Sequence, residues 1–179
     1  MKITRQWAMP NKNTFDINPI RQLIQRYVMQ DQISIDPFAN SSTIAKITND
    51  LDTQYTTDYH LDALDFLRIF EDNSVDLVLY DPPYSPRQVS ESYKNLGRTV
   101  NMETTQASYW SKQKDEIARI LKPNGICISC GWNTNGVGKT RGFEQIEILL
   151  VAHGGNHNDT IITVERKIRR GSEIENDGR

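Results

Sequence analysis

Apolar residues in three segments recur with the spacing of an amphipathic helix. The first segment covers residues 20–28 and follows Pro19, whose missing N–H suits the first turn of a helix. The second covers residues 62–70. The third runs from 109 to 121, and a proline and a glycine that would end a helix follow it directly. Residues 40–43 form a polar turn that could open a further short helix.

Short apolar runs between these segments predict β-strands. Residues 75–80 are almost continuously apolar and are bounded by polar residues and prolines, which is typical of a strand buried on both faces of a parallel sheet. Strands that alternate with helices indicate an α/β protein with a mostly parallel, twisted sheet. The last two strands are adjacent in the chain, so we expect an antiparallel hairpin at one edge of the sheet. These last two strands are predicted within residues 143–151 and 160–164, and the remaining strands lie within residues 33–35, 44–52 and 126–130.

The remaining segments are polar or contain residues that interrupt regular structure. Residues 1–18 contain a proline and three asparagines and predict irregular structure. Residues 85–106 are polar, basic and weakly periodic, and residues 131–142 contain four glycines, so both predict loops. We expect a single domain over residues 1–167 and a polar tail over residues 168–179.

The composition excludes several classes of protein. Of the 179 residues, 37% are hydrophobic and 25% are charged, which is the balance of a globular domain and not of a disordered chain. No run of 18 apolar residues is present to span a bilayer, and the first residues lack the apolar core of a signal peptide. We therefore expect a cytoplasmic protein without membrane association. Two cysteines are too few for a disulfide scaffold.

Charge is distributed unevenly along the chain. Residues 31–84 contain eleven acids and two bases, whereas residues 85–143 contain nine bases and four acids. The net charge of -2 excludes a uniformly basic nucleic-acid binder, but the basic part suits an enzyme that contacts nucleic-acid phosphates. Solvated helix faces explain the same asymmetry, so charge alone does not decide between the two.

Acidic residues follow three of the predicted strands. Asp36, Asp50 and Asp81 each lie at or near the carboxyl end of a strand. In open α/β sheets, ligands bind beyond the carboxyl ends of the strands. The sequence therefore predicts that these three carboxylates share one ligand site.

The tetrapeptide Asp81-Pro82-Pro83-Tyr84 directly follows the most apolar strand. Its two prolines fix backbone angles and remove two N–H donors, which leaves a stiff loop with a carboxylate, a free carbonyl and an aromatic ring. The Asp81 carboxylate and the Pro82 carbonyl can accept both N–H bonds of an exocyclic amine, while Tyr84 stacks on its ring. Two such acceptors draw the amine nitrogen toward tetrahedral geometry and make its lone pair available. The loop therefore predicts chemistry on the amine of a base that has left its stack.

The same tetrapeptide, followed by Ser85, resembles the signature of the S-adenosylmethionine-dependent amino methyltransferases. The resemblance implies a Rossmann-like class I methyltransferase fold and S-adenosylmethionine as the cofactor. It also implies methylation of adenine N6 in DNA, with Asp81, Pro82, Pro83 and Tyr84 as the catalytic residues. RNA adenine is the first alternative substrate, and a non-catalytic, cofactor-binding subunit of a larger complex is the second.

Segments before this motif resemble the cofactor-binding segments of the same family. Asp36-Pro37-Phe38 matches the family motif, in which Asp36 would hold the methionine ammonium group. Asn40 and Ser42 replace the two glycines of that motif, and this departure motivates the subunit alternative. The resemblance also makes residues 1–30 a segment that covers the cofactor. It assigns cofactor binding to Thr14, Phe15, Asp36, Pro37, Phe38, Asn40, Asp50, Leu51, Asp62 and Ala63, with less weight on Trp7 and Met9.

Two of these acids also have simpler interpretations. An acid after the second strand binds ribose hydroxyls in dinucleotide folds, and the resemblance places it at Asp50, with Asp52 as the alternative. Taken alone, either residue is also typical of a solvated turn. Asp62 would lie beside the cofactor adenine, but it is equally placed to be the N-cap of a helix, and both roles are compatible.

The two predicted loops, residues 85–106 and 131–142, carry basic residues. We expect both to cover the sheet edge that carries the tetrapeptide, where they suit contacts with phosphates. Family members usually add a target recognition domain, but the residues between Phe38 and Pro83 are already occupied by a predicted strand and helix. We therefore expect a minimal, phage-like or bacterial member. It would read the DNA sequence with its own two loops, with a second copy or partner subunit that supplies target recognition, or barely at all. The predicted nucleic-acid contacts are Arg87, Lys94, Arg98, Trp132, Asn133, Lys139 and Arg141.

The sequence predicts no metal site. Cys127 and Cys130 are three residues apart in a predicted strand, so their side chains point to opposite faces. His153 and His157 have helical spacing, but two glycines lie between them. Residues 138–140 resemble the end of a phosphate-binding loop, but the first glycine of that motif is missing.

Overall fold

The computed structural model describes residues 1–95, 97, 107–155 and 157–168. The α-helices in these residues are α1 (Asn18–Gln25), α2 (Ala63–Arg68), α3 (Pro86–Asn95) and α4 (Ala107–Ile120). The strands in the same residues are β1 (Lys2–Trp7), β2 (Ser34–Asp36), β3 (Ile47–Thr48), β4 (Val75–Tyr80), β5 (Leu121–Gly131), β6 (Phe143–Ala152) and β7 (Thr160–Lys167). They form one sheet in the order β1-β6-β7-β5-β4-β2-β3. Because only β7 runs antiparallel to its neighbours, the predicted mostly parallel α/β sheet is confirmed.

The central strand β4 is buried on both faces, as its apolar run predicts. Leu77 and Leu79 pack in the cluster that contains the apolar side of α1, whereas Val78 and Tyr80 pack with α2 and α4. Full burial of an aliphatic or aromatic side chain contributes about 1.5–3 kcal/mol, so both layers stabilise the same strand. The carboxyl end of β4 is thereby held rigidly at the edge of the sheet.

The two cysteines lie on β5 and belong to opposite clusters. Cys127 packs with the α2 and α4 layer, and Cys130 packs with the α1 layer. Both thiols are free and buried. The prediction that the two side chains point to opposite faces is therefore confirmed.

The N-terminal residues form an edge strand, so the prediction of irregular structure is wrong for Lys2–Trp7. β1 pairs in parallel with β6, and Lys2 Nζ lies 3.2 Å from Glu147 Oε1. Ile3 and Trp7 remain exposed, so the strand has no buried apolar face that a pattern could reveal. The backbone ladder to a single neighbour holds it. Since β1 is the edge, the β6–β7 hairpin lies inside the sheet, and the predicted edge position of the hairpin is also wrong.

The segment after the tetrapeptide begins with a helix, so the loop predicted over residues 85–106 is wrong for α3. Pro86 is its first residue, and Val89 and Tyr93 are its buried positions. Two apolar residues one turn apart are too few to stand out in an otherwise polar segment, which explains the error. Residues 98–106, which include Arg98, and most of the predicted tail, residues 169–179, lie outside the described residues.

Two smaller differences concern a short helix that does not form and the end of α4. Residues 40–43 remain a turn without a helix, and the Ser42 N–H donates to the Ala39 carbonyl at 2.7 Å. α4 ends at Ile120, and β5 begins at the next residue. In the described part of the chain, no helix is both long and apolar enough to cross a bilayer.

Candidate active site

A cavity of about 540 Å³ lies at the carboxyl ends of β2, β3 and β4. Its volume is in the range of ligand pockets, and ligands bind at this edge of open α/β sheets. The turn that precedes α1, the start of α2 and one side of α3 complete its walls. Most of the predicted cofactor-binding and catalytic residues line it: Thr14, Phe15, Pro37, Phe38, Asn40, Asp50, Leu51, Asp62, Ala63, Asp81, Pro82, Pro83 and Tyr84.

Asp36 is fully buried beside the lining residues Pro37 and Phe38. Its Oδ1 accepts a hydrogen bond of 3.0 Å from the Phe38 N–H, whereas its Oδ2 has no partner among the described residues. Burial raises the pKa of the Asp36 carboxyl well above its usual range, and the charges of Asp81 and Asp50 raise it further. A buried carboxylate oxygen without a partner is costly, so this position favours a cationic group.

Asp50 joins the loops that follow β2 and β3. Its Oδ2 accepts from the Asn40 N–H at 2.8 Å, and its Oδ1 accepts from the Asp52 N–H at 2.8 Å. Burial raises the pKa of the Asp50 carboxyl, and these two hydrogen bonds lower it in part. Asn40 has a left-handed φ of 53°, a conformation that asparagine adopts more readily than most residues. Its buried Oδ1 has no partner among the described residues.

Asp62 is the N-cap of α2, as the alternative interpretation predicts. Its Oδ1 accepts from the Leu64 N–H at 2.9 Å. The Tyr93 hydroxyl of α3 donates to its Oδ2 and so attaches α3 to the wall of the cavity. Sequence analysis did not identify Tyr93, and the only local signal was its one-turn spacing from Val89.

The tetrapeptide loop presents two hydrogen-bond acceptors to the cavity. The Tyr84 hydroxyl donates to Asp81 Oδ1, and Trp110 Nε1 donates to the Pro83 carbonyl at 2.9 Å. Within the described part of the chain, no donor reaches the Pro82 carbonyl. The Asp81 carboxylate and the Pro82 carbonyl are thus neighbouring acceptors on a loop that Trp110 anchors.

The Asp81 carboxyl has an unusual protonation equilibrium. Burial raises its pKa, and hydrogen bonds from Thr14, Tyr84 and Cys130 lower it in part. The pKa of the Tyr84 phenol is also raised above its usual range, by burial and by the neighbouring Asp81 charge. Groups with shifted pKa values in a cleft are typical of sites that bind charge or transfer protons.

A second cavity of about 220 Å³ adjoins the first and shares Thr14, Tyr84 and Gln88 with it. The Tyr84 ring meets the ring of Trp132 edge to face, with 5.6 Å between their centroids. The remaining walls come from the segment before α1 and from the β6–β7 turn. Sequence analysis identified Trp132, but it missed the isolated polar residues Asn11, Gln88, His157 and Asn158, which belong to no motif.

Loop 131–142, which carries Trp132, is held by the buried carboxylate of Glu165 on β7. Glu165 Oε2 accepts from the Val137 N–H at 2.5 Å, and Oε1 accepts from the Gly138 N–H at 3.1 Å. Burial raises the pKa of the Glu165 carboxyl, and these bonds lower it in part. The wall of the second cavity is therefore fixed by a residue that is distant in the sequence.

We expect Gly136→Ala to loosen this loop. Gly136 has a φ of 49°, and a Cβ on it would overlap the Glu165 carboxylate. The left-handed conformation costs about 1–2 kcal/mol and the overlap about 1–3 kcal/mol, so the thermal midpoint should fall by roughly 4–20 °C. Gly142→Ala is the matched control, because Gly142 has a φ of 84° but no atom within 4 Å of an added Cβ. Equal midpoints for the two variants, measured by thermal denaturation, would contradict the role of Glu165.

Arg141 is committed to contacts within the protein. Its Nε lies 2.6 Å from Asp115 Oδ1, and its Nη2 donates to Ser111 Oγ at 2.8 Å. Both partners are on α4, so the guanidinium joins loop 131–142 to that helix. The guanidinium already has partners within the protein, and the sequence-based assignment of Arg141 to a nucleic-acid phosphate stays a prediction.

The other predicted contacts to nucleic acid are on the surface. The Arg87 side chain is 86% exposed and pairs with Glu91 at 2.7 Å. Lys94, Trp132, Asn133 and Lys139 are also exposed. Trp7 and Met9, which carried less weight as cofactor residues, are exposed and line neither of these cavities. In the described residues, no group of three or more His, Cys, Asp or Glu is arranged to hold a metal ion.

No family model and no curated protein sequence matches the chain. Solved structures match its fold at low sequence identity. A Methanosarcina mazei structure titled as a SAM-dependent methyltransferase is 12% identical, with a TM-score of 0.52, over 82% of this chain and 97% of that one. The chain has the Rossmann-like fold of class I methyltransferases.

Two further structures show how varied the proteins with this fold are. The Burkholderia thailandensis 1,6-didemethyltoxoflavin-N1-methyltransferase, solved with its substrate and S-adenosylhomocysteine, is 9% identical, with a TM-score of 0.55, over 84% of this chain and 77% of that one. A proposed methyltransferase from Haloferax volcanii, solved in complex with the Trm112 methyltransferase activator, is 14% identical, with a TM-score of 0.57, over 85% of this chain and 89% of that one. At these identities the similarity concerns the fold alone.

Proposed function

We propose that this protein is an S-adenosylmethionine-dependent methyltransferase that acts on adenine N6 in DNA. The observation that carries the proposal is the position of the tetrapeptide at the carboxyl end of β4, where Asp81, Pro82 and Pro83 line the larger cavity and Tyr84 lines both cavities. A stiff loop with two acceptors in one ligand cavity, and an aromatic ring shared with the next, suits transfer of a group to an amine. The larger cavity is the cofactor site of this proposal, and the smaller one receives the acceptor base.

Polar groups in and directly behind the lining of the larger cavity fit S-adenosylmethionine. The partnerless Oδ2 of Asp36, buried next to the lining residue Pro37, suits the ammonium group of the methionine part, and the partnerless Oδ1 of the lining residue Asn40 offers a second acceptor. Asp50 and Asp52 line the cavity after β3, where acids bind ribose hydroxyls in related folds. The left-handed Asn40 provides the backbone conformation that a glycine would otherwise supply. The bound cofactor supplies an electrophilic methyl group.

The residues of the tetrapeptide would prepare the amine for attack. The Asp81 carboxylate and the Pro82 carbonyl accept its two N–H bonds, so the nitrogen lone pair leaves conjugation with the ring. Pro83 and Trp110 keep the loop rigid, because the Trp110 indole holds the Pro83 carbonyl. After transfer, the amine carries one proton too many, and the Asp81 carboxylate, whose pKa burial raises, can accept it.

The smaller cavity suits a base that has left its stack. Tyr84 and Trp132 supply aromatic surface to it, and the exposed ring of Trp132 lies at its rim. Base stacking on aromatic side chains contributes about 1–3 kcal/mol per base. The exposed basic residues Arg87, Lys94 and Lys139 are candidates for phosphate contacts that position the strand.

A second candidate function is a cofactor-binding subunit that acts with a partner. The replacement of two glycines by Asn40 and Ser42 favours it, as does the neighbouring structure in which an activator protein is bound. A partner subunit or a homodimer would then supply target recognition. Methylation of RNA adenine is the remaining alternative, because the tetrapeptide does not distinguish the two nucleic acids.

One experiment separates these possibilities. The purified protein is incubated with tritiated S-adenosylmethionine and duplex DNA, single-stranded DNA or RNA, and the labelled nucleosides are identified by mass. We expect N6-methyladenine in DNA. The same product in RNA alone would move the activity to the alternative substrate. Cofactor binding by calorimetry without label in any nucleic acid would support the subunit, and absence of both would contradict all three candidates.

A further inference from the structure

Gln88 occupies the junction of the two cavities. It lies in the first turn of α3, four residues after Tyr84, and it lines both cavities. Its backbone is held at two points, because its N–H donates to Ser85 Oγ at 3.3 Å and its carbonyl accepts from Ser92 Oγ at 2.9 Å. The backbone of Gln88 is thus fixed, and its side chain lies between the proposed cofactor and acceptor positions.

The orientation of the Gln88 amide follows from one hydrogen bond. Its Oε1 accepts from the Tyr84 N–H at 2.6 Å. A backbone N–H can only donate, so the oxygen must face Tyr84 and the amide nitrogen Nε2 must occupy the other end. Among the described residues, nothing accepts a hydrogen bond from Nε2. Gln88 therefore presents an oriented donor without a partner beside the two acceptors of the tetrapeptide.

We propose that Gln88 determines which heterocycle is methylated, by donating from Nε2 to a ring nitrogen next to the reacting amine. This inference rests on the proposed function. Two acceptors and one donor that line the same cavity are complementary to an amine that adjoins an unprotonated ring nitrogen. Adenine has this pattern, because N6 lies between the acceptors N1 and N7. A heterocycle with a protonated nitrogen or a carbon at that position would leave Nε2 unpaired and would be disfavoured.

The test compares adenine with analogues that lack one acceptor. Single-stranded DNA oligonucleotides carry one adenine, 7-deazaadenine or 1-deazaadenine, and kcat/KM is measured with tritiated S-adenosylmethionine. We expect the wild-type protein to prefer adenine over the analogue that lacks the ring nitrogen to which Nε2 donates, and not over the other analogue. That preference should be about tenfold smaller in Gln88→Glu, because the variant keeps an acceptor for the Tyr84 N–H but loses the donor. Dividing the preference of the wild-type protein by that of the variant cancels any intrinsic difference in reactivity between adenine and its analogues.

A second variant separates the lost donor from the added charge. Gln88→Met is neutral and of similar length, and it should lose the same preference. An unchanged preference in both variants would overturn the inference while leaving the proposed function in place. Wild-type protein that methylates none of the oligonucleotides would overturn the proposed function, and the role of Gln88 with it.

Discussion

Asp81→Ala should abolish methyl transfer and leave cofactor binding nearly unchanged. The substitution removes one of the two acceptors that draw the amine lone pair out of conjugation. Loss of one preorganised hydrogen-bonding group at a reacting atom lowers kcat by about 10²–10³-fold. The cofactor-side groups Asp36 and Asn40 are retained, and loss of the Asp81 charge favours the ionised form of Asp36, so affinity for S-adenosylmethionine should stay within about twofold of wild type. Transfer of tritium to DNA and calorimetry measure the two quantities.

Tyr84→Phe is the matched control for this substitution. Both substitutions remove the hydrogen bond that the Tyr84 hydroxyl donates to Asp81, but Tyr84→Phe keeps the aromatic ring and the Asp81 carboxylate. If the Tyr84–Asp81 bond itself were what catalysis needs, both variants would lose the same activity. We expect Tyr84→Phe to retain most of the transfer. A loss of cofactor affinity in Asp81→Ala that equals its loss of rate would contradict the assignment of Asp81 to the amine.

Asp36→Asn should weaken cofactor binding and at the same time stabilise the free protein. The carboxylate would pair with a cationic group of the cofactor, and a hydrogen bond to a charged group contributes about 1.5–3 kcal/mol, so affinity should fall roughly tenfold to a hundredfold. In the free protein, the same carboxyl is fully buried with one oxygen unpaired. Asparagine keeps the acceptor for the Phe38 N–H and places a donor near the neighbouring carboxylates. Each 1 kcal/mol gained raises the thermal midpoint by about 2–4 °C.

The size of the stabilising effect depends on pH in a defined way. Burial raises the pKa of Asp36 above that of the same group in the unfolded chain, so between these two values the folded protein binds more protons than the unfolded chain. The contribution of this group to the free energy of unfolding therefore falls as the pH rises through the raised pKa. Asp36→Asn lacks this dependence. The difference in thermal midpoint between the variant and the wild type should thus be larger at pH 8 than at pH 5.

Asp76→Asn provides the control with the opposite sign. Burial alone would raise the pKa of Asp76, but hydrogen bonds from Lys122 and from the Ile33 N–H lower it below that of the same group in the unfolded chain. Its contribution is present above the pKa of the unfolded chain and is lost as the pH falls through the lowered pKa. Asp76→Asn should destabilise the protein at neutral pH. A destabilised Asp36→Asn protein at pH 8 would contradict the electrostatic interpretation of the site.

The sequence was sufficient where a property depends on neighbouring residues. The continuous apolar run of β4 predicted a strand buried on both faces, and its two layers of core residues confirm this. The spacing after Pro19 predicted α1, which begins one residue earlier. Three strand-end acids were predicted to share one site; Asp50 and Asp81 line the same cavity, whereas Asp36 is fully buried beside its lining residues. The roles assigned to these residues stay predictions until they are measured.

The sequence was insufficient where a contact partner is remote. β1 is a strand because β6 lies beside it, and no apolar face of its own reveals this. α3 has only two buried positions, and its attachment to the cavity depends on the bond between Tyr93 and Asp62, 31 residues apart. Arg141 resembled a free basic residue in a glycine-rich loop, but α4 supplies partners for its guanidinium.

The sequence by itself determined the chemistry of the tetrapeptide and the class of sheet. Proline rings constrain the backbone and remove donors wherever the chain lies, and hydrophobic periodicity is a property of successive residues. Only the tertiary structure decided which polar groups remain without a partner. The sequence does not distinguish these groups from those of any other aspartate, glutamine or glutamate. They are the unpaired oxygen of Asp36, the unpaired donor of Gln88 and the hydrogen-bonded carboxylate of Glu165. Their states depend on which distant segments the order of strands brings within hydrogen-bond distance, and that order is not encoded in any short stretch of residues.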